Sequence, residues 1–494
     1  MSAFRIIGLG LLSSLVSLFA CAHPAGHRAP LPPWQAATDW PDRIIATFNG
    51  DPATSFAVTW RTDVSVGRTI VQIAEATSDT RFDIAATTFS AKTESVDLEH
   101  IETEHGVSDS LENVGIGSAH YHSHTFENLT PDTLYAWRVQ GGRGNWSEWF
   151  QTRTAPEDGP LSFVYFGDAQ NGVRPTWSRV IRAAFQVEPN AAFFLHAGDL
   201  VQKGESDYNW AEWFAAGGFI HAMIPVIPVP GNHENITVFG PPPNKKRKRV
   251  RTPLWRPQFT LAEDETLPPG LRESNYDVRY SDALHVFVID SAQDTFDAQA
   301  KWLTQKLENS DATWKIVTMH HPYFLPREFD RNRDDAPRRK AFSKVIDKHD
   351  VDLVLTGHVH TYLRGTEAFG QTSRRATGSA QNIKTVYVIS ASGAKNTDIW
   401  SQEQTDTIIG DGAADFNDIS LDRVAGNTPM FQVIRIDGRE LLYESRTAIG
   451  ALYDAFRLSK NEQGRTALIE GDAAFGDTRL FSNTGPYREW MDLR

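Results

Sequence analysis

Five apolar runs between residues 161 and 356 each stop at a short cluster of potential metal ligands. Leu161-Ser162-Phe163-Val164-Tyr165-Phe166 ends in Gly167-Asp168, and Ala191-Ala192-Phe193-Phe194-Leu195 leads to Gly198-Asp199. Ile224 to Pro230 leads to Gly231-Asn232-His233-Glu234. Trp314 to Met319 ends in His320-His321-Pro322, and Val351 to Thr356 ends in Gly357-His358-Val359-His360. Short apolar runs of this kind read as buried strands. Between them lie stretches with helical spacing. Trp177, Val180, Ile181, Ala184 and Phe185 make one apolar face, and Phe296, Ala300, Trp302, Leu303 and Leu307 make another. Alternating strands and helices predict an α/β domain, which binds ligands at the carboxyl ends of its strands. One Gly-Asp pair is a turn or a helix cap; five such clusters at successive strand ends point to a shared site.

A chain of 494 residues exceeds one ordinary domain, so two are expected. Its net charge of −13 argues against nucleic acid as a main partner and against general binding to an anionic membrane surface. The N-terminus departs from this pattern. Arg5 precedes an apolar stretch from Ile6 to Ala20, too short for a stable membrane span, and residues 1–22 read as an export signal. Leu18-Phe19-Ala20-Cys21 resembles the bacterial lipoprotein box, in which Cys21 would be acylated and anchor the protein to a membrane. Phe19 is an unusual residue for that box, and cleavage after Ala22 is the alternative. Cys21 is the only cysteine, so the mature chain has no disulfide and no cysteine metal site. The expected location is the bacterial periplasm or outer membrane as a lipoprotein, or outside the cell.

Residues 23–40, rich in Pro, His and Ala, read as a tether. Residues 41–156 carry short alternating runs with turns between them: Phe56, Val58 and Trp60, then Ile70-Val71-Gln72-Ile73, then Tyr135, Trp137 and Val139. These predict an all-β sandwich. Leu129 to Tyr135 resembles the approach to a late strand of a fibronectin type III-like domain. His120, His122 and His124 share one strand face and read as polar residues facing solvent. After a charged, turn-rich linker, residues 161–458 form the second domain and 459–494 a tail. Within the second domain, residues 240–274 read as an inserted loop. It holds six basic residues in the seven from Lys245 to Arg251: a solvated charge run, or a positive rim for an anionic substrate.

The five clusters, in this order and spacing, resemble the binuclear metallophosphoesterases, the calcineurin-like superfamily. With the sandwich in front, the layout is similar to that of the purple acid phosphatases. The resemblance implies two central β-sheets flanked by helices and two metal ions, iron with zinc or manganese. It assigns Asp168, Asp199 and His360 to the first metal and Asp199, Asn232, His320 and His358 to the second, with Asp199 bridging. It gives His233 the roles of phosphate contact and general acid, with Glu234 orienting it or else forming a salt bridge with a nearby loop. His321, Arg327 and Arg364 are candidates for phosphate contact at the rim.

The sequence departs from the purple pattern at one point. The tyrosine expected three residues after the bridging Asp is Gln202, so no tyrosinate-to-iron colour is expected. The histidine that many metallophosphoesterases carry two residues after the first Asp is Gln170. Either glutamine amide, or water, would complete the first metal's shell; Gln170 shares a turn with Asp168. The implied reaction is attack of metal-bound hydroxide on a phosphate monoester. A phosphodiesterase or nucleotidase on the same site is the alternative. A reading of another class is a catalytically silent surface binding module, against which the complete ligand set speaks. Small phosphorylated molecules are the expected partners. Homodimers occur among relatives.

Overall fold

The computed structural model describes residues 35–103, 106–109, 112–239, 247–322, 335–368, 381–397, 419–470 and 480–482. Cys21, the apolar N-terminal stretch and Arg327 lie outside the described residues. Among the described residues no helix is long and apolar enough to cross a membrane.

The front of the chain is a β-sandwich. One sheet joins Phe150–Arg153, Leu134–Val139, Ile70–Glu75 and Thr87–Ser90. The other joins Asp42–Thr47, Phe56–Asp63, Ser118–Phe126 and Lys92–Asp97. Phe56, Val58, Trp60, Val71, Phe126, Trp137 and Val139 fill the space between them. The Phe56–Asp63 strand is buried on both faces, whereas its sequence alternates as a half-exposed strand would. The reason lies in the second domain, which covers the other face. Thr59 Oγ1 lies 2.8 Å from Thr260 Oγ1, and Arg61, fully buried, pairs with Asp42 at 2.7 Å and with Asp207 at 3.5 Å. The histidine stripe corrects the solvent-face reading for another reason: His122 and His124 lie opposite Trp60 and Val58, on the face turned to the other sheet of the sandwich. His122 is buried, with Thr62 Oγ1 at 2.8 Å and Thr93 Oγ1 at 2.9 Å on its two ring nitrogens, and His124 stacks on Phe89.

The second domain holds two sheets. In the first, Leu161–Phe166, Phe194–His196 and Val226–Pro228 run parallel. Met430–Asp437 adds antiparallel to Leu161–Phe166 and is followed by Glu440–Thr447 and Leu452–Lys460. In the second, Leu284–Ile289, Trp314–Met319, Leu353–Thr356 and Gln381–Ile389 run parallel. Tyr276–Arg279 flanks one side antiparallel, and Tyr362–Ala368 and Ile419–Gly426 flank the other. Central strands are buried on both faces. Val286 and Val288 point into the inter-sheet core, while Phe287 and Ile289 face the helices Phe296–Glu308 and Asp335–Lys348 through Trp302, Leu303, Phe342 and Ile346. Each such side chain contributes roughly 1.5–3 kcal/mol by leaving water. This two-sided burial is why the runs are apolar without alternation.

Two boundaries differ from the sequence reading. Thr466–Glu470 pairs with both Leu452–Lys460 and Gln381–Ile389, so the sheet structure continues past 458 into the expected tail. Within the expected loop, Arg247–Arg251 is a strand pairing antiparallel with Asn235–Phe239. Gly106–Asp109 of the front domain joins the same sheet through Val107 opposite Phe239.

Buried imidazoles give the fold a pH dependence. His221 stacks on Trp213 at 4.1 Å, and burial pushes its imidazole down, to about 3; burial also pushes His122 down, to about 4. The unfolded chain takes up these protons near pH 6.5. Below that pH it binds protons the native state refuses, so stability is lost as pH falls, until the folded values are reached. The slope is about 1.4 kcal/mol per pH unit for each such group. Thermal melts of metal-free protein should show Tm falling from pH 6.5 towards pH 4, with a shallower fall in His221→Phe. Parallel profiles for the two proteins would refute the role of His221.

Candidate metal centre

The parallel strands of both sheets deliver their carboxyl ends to one place. Tight turns there put side chains where regular backbone would not. Asp199, His358 and His360 all have positive φ, at 51°, 75° and 59°, which L-residues adopt at a cost of order 1–3 kcal/mol each. Glycine precedes the ligands for a steric reason. A Cβ on Gly231 would overlap the Asp199 carboxylate, and one on Gly357 would overlap that of Asp168.

Two groups of donor atoms meet at Asp199 Oδ2. On one side, His360 Nε2 lies 2.9 Å from Asp168 Oδ2, and Gln170 Nε2 lies 2.8 Å from Asp199 Oδ2, 3.0 Å from His360 Nε2 and 3.3 Å from Asp168 Oδ2. On the other, His320 Nε2 lies 3.2 Å from Asp199 Oδ2 and 3.0 Å from Asn232 Oδ1, which is 2.9 Å from His358 Nδ1. His320 Nδ1 donates to the Ala197 carbonyl at 2.9 Å, which turns Nε2 inward. Asp168, Asp199 and His320 form one group able to hold an ion; His320, His321 and His358 form another.

The charges here compete. Burial opposes ionisation of Asp168, yet the His360 hydrogen bond and the His320 charge hold its carboxyl below the usual range. Burial would lower His320, but the Asp199 and Asp168 carboxylates push it up, to about 9. Burial and the neighbouring His320 push His358 down, to about 4. Carboxylates, an amide oxygen and imidazoles are the donor set of hard and borderline cations. Gln170 adds a specific sign of fit. It is fully buried, and its Oε1 has no hydrogen-bond partner while Nε2 faces the cluster. Turning the amide over, an assignment the heavy atoms do not fix, would present Oε1 to the ion. The residues therefore fit two metal ions. Gln202 meets the site differently, through its main-chain carbonyl, which accepts from His233 Nδ1 at 2.6 Å.

His233 sits at the edge, its backbone N–H on Asp199 Oδ1 at 2.8 Å and its Nε2 3.9 Å from Asp199 Oδ2. The orienting group is thus the Gln202 carbonyl, and this corrects the role expected of Glu234. Glu234 is fully buried and accepts the backbone N–H groups of Gly231 at 2.7 Å, Asp199 at 2.9 Å and Val201 at 3.2 Å. It clamps two ligand loops together. Burial and the Asp199 charge push its carboxyl up, to about 8, while those N–H donors pull the other way.

His321 is buried, its ring 4.4 Å from His358, with Nδ1 3.0 Å from Ser291 Oγ. Arg364 is not at the rim. It is fully buried within the second sheet, on Asp454 through Nε at 2.6 Å and Nη2 at 3.1 Å, and on Asp422 through Nη1 at 3.1 Å. The sequence reading singled out neither Ser291 nor Arg338, whose Nε donates to the Ser291 carbonyl at 3.0 Å. Ser291 lies just past the strand Leu284–Ile289, the same position in the sheet as the other clusters, and that was its only signal.

The calcineurin-like phosphoesterase family matches residues 161–362, and the purple acid phosphatase N-terminal domain matches residues 41–154. An uncharacterised protein of Mycobacterium tuberculosis is 25% identical over 397 residues, covering 73% of this chain and 69% of that one. The Fe(3+)-Zn(2+) purple acid phosphatase 12 of Arabidopsis thaliana is 24% identical over 292 residues, covering 54% and 55%. A purple acid phosphatase structure from yellow lupin (Lupinus luteus) seeds superposes with a TM-score of 0.65 at 17% identity, covering 86% of this chain and 75% of that one. Residues 161–362 belong to the calcineurin-like metallophosphoesterase family, which is consistent with a phosphoric ester hydrolase. More closely, the chain pairs a calcineurin-like catalytic domain with a purple acid phosphatase N-terminal domain in a purple acid phosphatase-like fold.

Proposed function

We propose that the protein is an exported phosphatase that hydrolyses small phosphate monoesters with two metal ions, iron with zinc or manganese. The observation that carries this is Asp199 Oδ2, within 3.2 Å of Gln170 Nε2 on one side and His320 Nε2 on the other, which supports a carboxylate that would serve both ions. Asp168, Asp199, His360 and Gln170 would hold one ion; Asp199, Asn232, His320 and His358 the other. When bound, the pair supplies an activated water and neutralises phosphoryl charge. The protein does the rest. Glu234 fixes the spacing of the Asp199 and Gly231 loops. The Gln202 carbonyl accepts from His233 Nδ1–H and so orients the ring; a second proton, on Nε2 of the imidazolium, would pass to the leaving alkoxide and leave the neutral ring with its Nδ1 proton in place. His321, beside His358, would donate to a phosphoryl oxygen. The N-terminal apolar stretch supports export, and Cys21 a lipid anchor.

The test compares p-nitrophenyl phosphate with bis-p-nitrophenyl phosphate, using signal-free protein loaded separately with iron, zinc and manganese. Preference for the monoester supports the proposal. Preference for the diester moves the assignment to phosphodiesterase.

A further inference from the structure

We propose that Arg249 determines specificity by binding a second anionic group of the substrate, beside the phosphoryl group under attack. This rests on the phosphatase reading above.

The basic run is built into the site. Arg247–Arg251 pairs with Asn235–Phe239 in the register Arg249 opposite Thr237 and Arg251 opposite Asn235. Ile236, Val238 and Val250 turn inward to the core. Strand alternation therefore turns Arg249 and Arg251 to the opposite face. Arg251 is spent on structure: it pairs with the buried Asp290 and lies over the Trp255 ring.

Arg249 is exposed and held differently. Its Nη2 donates to two main-chain carbonyls, those of Asn232 and of Asn235, the latter at 3.0 Å. Carbonyls fix a guanidinium without neutralising it. Among the described residues no carboxylate pairs with Arg249, and Nε–H and the Nη1 hydrogens, on separate edges of the guanidinium, remain to donate singly to a further acceptor beside an un-neutralised charge. Asn232 is also the residue whose Oδ1 faces His320 and His358. Its side chain faces His320 and His358 while its carbonyl holds the arginine, so the Arg249 charge sits beside the same residue that the candidate metal centre uses. The substrate class this selects is phosphoryl compounds that carry another phosphate or carboxylate close to the group under attack: monoesters with a neighbouring anion, and phosphoanhydrides such as nucleoside diphosphates, whose leaving group is itself a phosphate.

The test uses the metal-loaded full chain with AMP and ADP, which differ in the second phosphate and in the bond cleaved, an ester in AMP and an anhydride in ADP, so the readout is the difference that Arg249 makes to each. Wild-type protein should favour ADP in kcat/KM. Arg249→Ala should lower kcat/KM for ADP at least about 10-fold more than for AMP, mainly through KM. Arg249→Lys should recover part of the difference, since it keeps the charge but not the planar donors that the Asn232 and Asn235 carbonyls hold in place. Titration calorimetry with pyrophosphate and inorganic phosphate should repeat the pattern without turnover. Equal losses for AMP and ADP, or no Arg249-dependent preference for pyrophosphate, would overturn the proposal. Hydrolysis of AMP without that preference leaves the phosphatase reading standing. Arg249-dependent binding of pyrophosphate without any hydrolysis removes the phosphatase reading and supports the subsite.

Discussion

Asp199→Asn should cost the protein both metal ions and, with them, activity on the order of 10³-fold or more. One oxygen of this side chain is shared by two donor groups, so its charge is counted twice. An asparagine keeps the size and can still accept from the His233 N–H through Oδ1. It cannot bridge as an anion. Its amide nitrogen would also face the Gln170 and His320 donors. The fold should survive, because Glu234 clamps the Asp199 loop through the backbone N–H and not through the side chain. Metal-free Asp199→Asn should therefore melt within a few degrees of wild type. Burial and repulsion from Asp168 oppose the Asp199 charge, but the His320 charge and hydrogen bond outweigh them and hold its carboxyl below the usual range, so any change in Tm should be a fall. Metal analysis per chain and p-nitrophenyl phosphate turnover read the two effects separately. Retention of two metals with full activity would remove Asp199 from the centre.

His233→Ala should lower kcat by about 10²–10⁴-fold for a phosphate monoester with an alkyl leaving group. The loss should be much smaller for p-nitrophenyl phosphate, whose leaving group needs little protonation. Metal content should not change, since His233 reaches Asp199 through its backbone N–H and keeps Nε2 3.9 Å from the shared oxygen. This split between substrates distinguishes proton donation from a structural role. Equal losses on both substrates would assign His233 to binding alone.

The candidate ligands were legible because the central strands are buried on both faces. Their runs are apolar throughout, and the first glycine, aspartate or histidine marks the strand end. What failed in the sequence reading depended on direction or on distant partners. Glu234 follows His233 in sequence, but three backbone N–H groups from the Gly231 and Asp199 loops draw its carboxylate inward, away from the imidazole. Arg364 lies four residues after His360 and looked like a rim residue. Its strand carries it instead to Asp454, 90 residues away in sequence. The strand Arg247–Arg251 was hidden because charged residues carry no hydrophobic period; only Val250 marks its buried face. The two-sided burial of Phe56–Asp63 comes from another domain, which no local pattern records.

The most direct test of the central claim is the metal count of the purified chain, taken beside its turnover of p-nitrophenyl phosphate before and after metal removal. Two ions per chain, loss of turnover on chelation and recovery on adding iron with zinc or manganese is the result expected. The solution should be colourless or pale, since Gln202 stands where the purple enzymes would have tyrosine. Turnover that survives complete metal removal would contradict a mechanism built on Asp199.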